Sequence, residues 1–480
     1  MRSIFKACDV RGVYGRELTD EAVRRIGAAM ATMIRRRGQE ARVVVGGDVR
    51  LSTPSLKAAL LEGLTRCGAE CVDLGIVPTP VFYFARRHLG IAAGVMVTAS
   101  HNPAPHNGLK LVLGDLPITA EELAALRALA EAGEGDTGSG RVEDARVLDA
   151  YCRFVMRATA GWHPHPRASA PRIVVDPGNG AWARLAAPLL RVAGYPVIAI
   201  NDEPDGRFPG RDPNPAIAEH LSGLCERVRA EGAALGIAFD GDGDRVAFVD
   251  ERGSPVTTDE AAMLLVRALV PGEPGARVAH DIKCSQAIAD EVRRLGGVPL
   301  MERSGHTFLK ARMIREGALL GPEASGHYFF RALGGGDDGL YCAFLMAGIV
   351  GRSRQALSEM VDALPHYAIT PDIRVRFTGD PAPLLAAIAA AFPPEQVSRL
   401  DGVRVQFPDG WGLARPSVTE AALTLRFEGR TPEALHRIRE AFLAPAPALR
   451  EHLPPPAVPR ARSVPWEPPT RNRKVRVQDV

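Results

Sequence analysis

Residues 43–48 read Val43-Val44-Val45-Gly46-Gly47-Asp48. A short β-branched run that stops in turn residues reads as a buried strand of the kind that builds parallel sheets. A helix is predicted just upstream, from Asp20 to Arg37. Thr19 can cap it, and Val23, Ile26, Met30 and Ile34 share one face. The unit recurs: Ile173-Val174-Val175 leads into Asp176-Pro177-Gly178-Asn179-Gly180, and Val278-Ala279-His280 into Asp281-Ile282-Lys283-Cys284-Ser285. A second apolar strand follows each (Cys71–Gly75, Val197–Ile200, Val298–Met301). A third then opens into a polar loop (Gly94–Val97, Leu235–Phe239, Ala318–Leu320). Three copies of this order imply three repeated, doubly wound α/β domains.

The pattern changes near residue 365. Ile373-Arg-Val-Arg-Phe377, Val403-Arg-Val-Gln-Phe407 and Leu423-Thr-Leu-Arg-Phe427 alternate as half-buried antiparallel strands do, with helical stretches around 382–392 and 432–442. The expected architecture is therefore three α/β domains, over residues 1–145, 146–251 and 252–364, and a C-terminal α+β domain over 365–450. Residues 451–480 carry Pro454-Pro455-Pro456, Pro468-Pro469 and an Arg471–Arg476 basic cluster with few large apolar residues, and are expected to be disordered.

The 59 Lys and Arg against 56 Asp and Glu leave a formal charge of +3. The last thirty residues supply that whole excess, so the body of the chain is neutral. A neutral body argues against nucleic-acid binding, which needs clustered positive charge, and against a membrane-surface role. No apolar run approaches the roughly 20 residues that span a bilayer, and the N-terminus lacks the apolar core of a secretory signal. The seven cysteines are dispersed and form no CxxC pair, which fits reduced thiols in a cytoplasm. A monomer or weak dimer is expected. Only six of the 59 basic residues are lysine: Lys6, Lys57, Lys110, Lys283, Lys310 and Lys474.

Four loops carry chemistry. Thr98-Ala-Ser-His-Asn-Pro103 follows a strand and sets a hydroxyl beside an imidazole, although a plain polar turn has the same residues. In Asp240-Gly-Asp-Gly-Asp-Arg245, three carboxylates at alternate positions repel one another unless a cation sits between them. Oxygen-only ligands favour a hard cation, Mg²⁺ first. A calcium EF-hand is disfavoured by Arg245 at the position that requires glycine and by strand-like flanks. Gly321-Pro-Glu-Ala-Ser-Gly-His327, preceded by Ser304-Gly-His-Thr-Phe-Leu-Lys310, offers carboxylate, hydroxyl and imidazole groups to sugar hydroxyls, or is a surface turn. Gly412-Leu-Ala-Arg-Pro-Ser-Val-Thr-Glu420 reads as a phosphate cradle. Its rival, a capping box at Ser417 and Glu420, would have a strand and no helix to cap.

These loops, in this order and one per domain, resemble the α-D-phosphohexomutase family, together with Phe5–Gly12, Asp73–Pro80 and Asp337-Asp338-Gly339. Glu323–His327 and Asp409-Gly-Trp-Gly412 are most similar to the phosphomannomutase/phosphoglucomutase branch. The resemblance implies four domains around a central cleft, with the last a mobile lid. It implies a phosphoserine at Ser100, and Mg²⁺ held by Asp240, Asp242, Asp244 and the phosphate on Ser100. Glu323 and Ser325 would bind sugar hydroxyls, and Arg415, Ser417 and Thr419 the phosphate that is not reacting. Arg11, Lys110, Lys283, His306 and His327 would line the cleft.

The implied activity interconverts hexose 1-phosphates and hexose 6-phosphates, of mannose, glucose or both, with a hexose 1,6-bisphosphate as intermediate and primer. Arg245 and Mg²⁺ would neutralise the phosphoserine. Lys110 is the first candidate for general base, provided that its pKa is lowered, and His101 the second. Phosphoglucosamine mutase, a non-catalytic sugar-phosphate-binding paralogue and a simple Mg²⁺ phosphatase are the rivals. Cys8, where this branch often has Tyr, and Val418, in place of Asn or Gly, depart from the family pattern near phosphate recognition. Four of the six lysines fall in these motif segments, which singles out Lys110 and Lys283 as basic residues that arginine would not replace.

Overall fold

A computed structural model of the chain describes residues 4–453 apart from residues 7, 134, 165–169, 378, 417–421, 448 and 450–452. The tail read as disordered therefore lies, residue 453 aside, outside the described residues.

The Val43-Val44-Val45 run forms the strand Arg42–Gly47, in the interior of a six-stranded sheet. In spatial order the strands are Val10–Val13, His106–Leu113, Ala93–Val97, Arg42–Gly47, Glu70–Ile76 and Val142–Asp144. Successive side chains of a strand point to opposite faces. Val43 and Val45 accordingly pack with Ile26, Met30, Leu56 and Leu60 of the helices Asp20–Arg36 and Thr53–Arg66. Val44 packs with Val81 and Phe82 of the helix Thr79–His88 on the other side. Burial on both faces is why this strand reads as a continuous apolar run. Thr19 caps the first helix by accepting from the Ala22 amide. That helix crosses Thr53–Arg66 closely, since a Cβ on Gly63 would lie 2.0 Å from the Arg24 carbonyl oxygen.

The second sheet runs Pro255–Val256, Val246–Asp250, Leu235–Phe239, Ile173–Asp176, Val197–Ala199. The third runs Val298–Glu302, Arg277–Asp281, Leu320–Pro322, Tyr328–Phe330, Gly336–Asp337. Both repeat the parallel pairing of the first and second strands of the unit. The third strand of the third copy differs from expectation: it begins at Leu320, not Ala318, and runs through Pro322. It pairs antiparallel with Tyr328–Phe330, so Glu323–His327 is the turn of a hairpin, closed by the Glu323 amide donating to the His327 carbonyl at 2.9 Å. The C-terminal unit is an antiparallel sheet built on Ala422–Gly429 and Gly410–Pro416, with the helices Ala382–Ala390 and Pro432–Leu443 where the sequence places them. Among the described residues no helix is long and apolar enough to cross a membrane.

The first three sheets meet through their loops. The Thr79 amide donates to the Asp242 carbonyl at 2.9 Å, and the Val246 amide to the Gly326 carbonyl at 3.2 Å. Trp182, fully buried between Tyr151 and Phe239, donates its indole N–H to the Gly243 carbonyl at 2.8 Å. Gly243 has φ +82, and a Cβ there would strike the Trp182 ring at 2.3 Å. The indole is thus the floor of the acidic loop. Trp182→Ala should lower the thermal unfolding midpoint, since emptying a buried aromatic site costs about 3–5 kcal/mol, and should weaken divalent-metal binding. An unchanged midpoint and metal affinity would show that Trp182 supports neither.

Candidate active site

The strand Ala93–Val97 delivers Ser100 in a left-handed conformation, φ +50, uncommon for a residue with a side chain. Ser100 is 1% exposed, and its Oγ donates to Asp240 Oδ2 at 2.6 Å. Asp240, Asp242 and Asp244 are completely buried, and one oxygen from each falls within 4.8 Å of the others. Burial, together with Asp242 and Asp244, pushes the Asp240 pKa up to about 8. Burial would also raise Asp244, but Lys110 and His327 overcome it and hold that carboxyl well below the usual range. Three carboxylates this close cannot all be charged without a cation among them. Asp242 Oδ1 is buried with no hydrogen-bond partner, and the donor set is oxygen only. These residues fit a hard divalent metal.

Lys110, on the strand His106–Leu113, reaches this cluster. Its ammonium lies 2.7 Å from Asp242 Oδ2 and bonds Asp244 as well. The expectation of a lowered pKa is overturned here: burial acts in that direction, but Asp242 and Asp244 outweigh it and hold Lys110 well above the ordinary lysine range. With no ion among the carboxylates, Lys110 is held as a positive charge. The unprotonated group beside the serine is His101, whose Nδ1 is 3.3 Å from Ser100 Oγ. Burial, then Arg245 and Arg11, push its pKa well down. Arg11 is held by Asp9 at 2.7 Å and donates to Asn102 Oδ1 at 2.7 Å.

The Glu323–His327 hairpin faces the acidic loop. His327 Nδ1 is 2.9 Å from Glu323 Oε2, its Nε2 is 3.2 Å from Asp244 Oδ1, and Asp337 lies at 3.7 Å. Burial and Arg245 act to lower the His327 pKa, but Asp244 and Glu323 outweigh them and push it up to about 10. Arg245 Nε approaches His327 Nε2 at 3.3 Å. With the ring an imidazolium both atoms are donors, so this is a contact between two cations tolerated by the carboxylates around them. Burial would raise Glu323, but His327 and Arg245 bring it down to about 2. His306 lies against the His327 ring, with centroids 5.9 Å apart.

Arg11, Ser100, His101, Lys110, Arg245, His306, Glu323 and His327 line one cleft of about 790 Å³, a volume suited to a small ligand. Among the described residues, Lys283, Ser325 and Arg415 do not line it. Lys283 pairs with Asp372 at 2.9 Å, Ser325 Oγ lies 2.9 Å from His327 Nδ1, and Arg415 pairs with Asp401 at 2.7 Å. Ser417, Val418 and Thr419 lie outside the described residues. Cys8 does line the cleft and accepts from Thr307 Oγ1 at 3.0 Å. Sequence reasoning missed Asp212, Asn214, His220 and Arg374 on the cleft wall, and Thr79, whose Oγ1 donates to Asp242 Oδ2 at 2.7 Å. Arg374 had a signal, since an alternating strand must present its charged positions on one face. Asp212 and Asn214 stand in irregular chain, His220 in the short 3-10 helix Ala218–Leu221, and Thr79 at the first position of the helix Thr79–His88, where nothing local marks a contact to Asp242.

Residues 2–136, 149–253 and 257–367 match the alpha/beta/alpha domains I, II and III of phosphoglucomutase/phosphomannomutase, and 373–444 its C-terminal domain. A phosphomannomutase/phosphoglucomutase of Pseudomonas aeruginosa strain PAO1 is 39% identical over 458 residues, covering 95% of this chain and 97% of that protein. A phosphoglucomutase of Neisseria gonorrhoeae is 36% identical over 453 residues, covering 92% and 96%. The crystal structure of a phosphoglucomutase/phosphomannomutase family protein from Burkholderia thailandensis superposes with a TM-score of 0.87 at 36% identity, covering 95% of this chain and 100% of that one.

The His327 pKa gives a pH test. Its folded value of about 10 lies above the unfolded value near 6.5. The stability it contributes is fully present below about pH 6.5 and lost as the pH rises through about 10. In the metal-free protein, His327→Gln should lower the melting midpoint at neutral pH, and the difference should shrink above about pH 10. An equal difference at both would mean that His327 is uncharged at neutral pH.

Proposed function

The chain belongs to the phosphoglucomutase/phosphomannomutase family, and on that premise we propose that it interconverts the 1- and 6-phosphates of mannose and glucose through a phosphoserine at Ser100. The observation that carries this reading is Ser100 Oγ, 2.6 Å from Asp240 at the head of three buried carboxylates, inside the cleft that also holds Glu323 and His327. Asp240, Asp242 and Asp244, with the phosphate on Ser100, would hold Mg²⁺. When bound, that ion supplies positive charge to the phosphate oxygens.

The chain's own residues do the rest. Phosphoryl transfer depends on position and charge more than on covalent activation. Arg245, Arg11 and Lys110 set fixed positive charge around the Ser100 hydroxyl. Glu323, kept ionised by His327, accepts from sugar hydroxyls, and Ser325 extends that surface. The hydroxyl at C1 or C6 attacks the phosphorus in line as the P–O bond to Ser100 Oγ breaks; its proton is taken up by His101, the neutral base at the serine, and returned to the departing Ser100 oxygen. The hexose 1,6-bisphosphate so formed turns over in the cleft and returns its other phosphate to Ser100. His306 contacts the substrate from the third domain. Arg415, with Ser417 and Thr419, would hold the idle phosphate in both orientations, and Lys283 would reach the substrate, once Arg415 leaves Asp401 and Lys283 leaves Asp372. Hexose phosphates are the partners, a trace of bisphosphate is the primer, and seven cysteines with no disulfide between them fit a cytoplasmic location.

Ser100→Ala should lower mutase activity by roughly a thousand-fold or more with mannose 1-phosphate, divalent metal and bisphosphate supplied. The wild-type protein should gain the mass of one phosphate at Ser100. Near-wild-type turnover by the variant would end the phosphoserine reading, and phosphate release outpacing isomer formation would favour a phosphatase. Comparable kcat/KM for glucose and mannose 1-phosphates is the expected specificity, since Glu323 and Ser325 then read hydroxyls that the two sugars share. A strong preference for glucosamine 1-phosphate would move the assignment to that substrate.

A further inference from the structure

Arg50 lies beneath the loop that carries Ser100, is 1% exposed and takes no part in the chemistry above. Its guanidinium is fully used. Nη1 donates to the Pro103 and His106 carbonyls, both at 2.9 Å. Nη2 donates to the Ser100 carbonyl at 2.7 Å and the Asn102 carbonyl at 2.5 Å, and Nε to Asp48 Oδ2 at 3.1 Å. Asp48 in turn accepts from Thr98 Oγ1 at 2.7 Å, Thr53 Oγ1 at 2.9 Å and the Arg50 amide at 3.0 Å. From the second domain, the Phe208 ring covers the guanidinium at 5.0 Å, and a Cβ on Gly206 would lie 2.7 Å from Arg50 Cα.

A buried cation is costly unless every N–H finds an acceptor. Here all five do, and four of the acceptors are carbonyls of one loop. That loop holds Ser100 at a positive φ, which persists only where its surroundings enforce it. We propose that Arg50 is a positioning residue for phosphoryl transfer, its fork fixing residues 100–106 so that Ser100 Oγ is presented to Asp240. The same fork binds four carbonyl oxygens to a cation under the loop and so keeps them from facing the phosphate on Ser100. Thr98 Oγ1 extends the device, since it also lies 3.1 Å from Asp242 Oδ2 and so registers the serine loop against the acidic loop. Lysine cannot replace this arginine, because an ammonium has three donors and no planar fork.

This inference rests on the phosphoserine reading, and Ser100→Ala run in parallel keeps the two apart. Arg50→Lys retains the charge and is the main probe. With metal and saturating glucose 1,6-bisphosphate, it should fold with a lowered melting midpoint and lose about 100-fold in kcat, the scale set by a small misplacement of reacting groups. KM should stay within about twofold. Phosphorylation of Ser100 by the bisphosphate, followed by intact mass, should slow by the same factor as kcat. Arg50→Ala should regain part of its activity on addition of guanidinium ion at concentrations far below those that denature. A purely architectural role would lower the midpoint while leaving kcat and the phosphorylation rate per folded molecule at wild-type values, and that result for Arg50→Lys would overturn the proposal even if Arg50→Ala failed to fold. Inactive Ser100→Ala beside unimpaired Arg50→Lys would overturn this inference alone; active Ser100→Ala would remove the reading on which it stands.

Discussion

Three buried carboxylates on one short loop repel one another, and the first three domains are arranged to answer that repulsion. Asp240, Asp242 and Asp244 are met by Lys110 from the first domain, Arg245 from their own loop and His327 from the third. Each of these cations would itself be expensive to bury alone. The cluster is stable only when the domains are docked, so the charge balance of the site and the packing of the domains are one problem. A divalent ion fits the same logic, as added positive charge where like charges converge.

The repeat explains how three domains deliver to one point. In each, a polar loop follows the third strand of the unit, where loops of an open α/β sheet form a crevice. The same topology that hides the valines of Arg42–Gly47 leaves Ser100, the acidic loop and the Glu323–His327 hairpin at the rims. Small contacts then set the register: Thr79 on Asp242, Trp182 under Gly243 and the Val246–Gly326 bridge.

Two of the scarce lysines are shifted in opposite directions by their surroundings. Scarcity marked Lys110 as a nitrogen that could release its proton, yet the carboxylates beside it hold the proton more firmly. Lys310 behaves the other way. It lies 3.4 Å from the centroid of the Tyr83 ring, and burial lowers its pKa to about 8 despite Asp337 nearby. Counting residues located both side chains in functional segments but could not order their acidities, because that order depends on which charges the fold brings near.

The sequence by itself determined the three-fold α/β repeat, the antiparallel fourth unit and the polar loops that follow the third strand of each repeat, because strand periodicity, turn residues and spaced carboxylates are local properties of the chain. It also placed Ser100 and the three aspartates in loops at strand ends, with the phosphoserine role resting on the family resemblance. Only the tertiary structure decided which predicted residues share the cleft, that Lys110 is charged and His101 neutral, and that Lys283 and Arg415 face Asp372 and Asp401. It alone revealed Arg50 beneath the serine loop, 50 residues away in the chain. Protonation and positioning are set by neighbours distant in sequence, through burial and Coulombic interaction, and no local pattern records them.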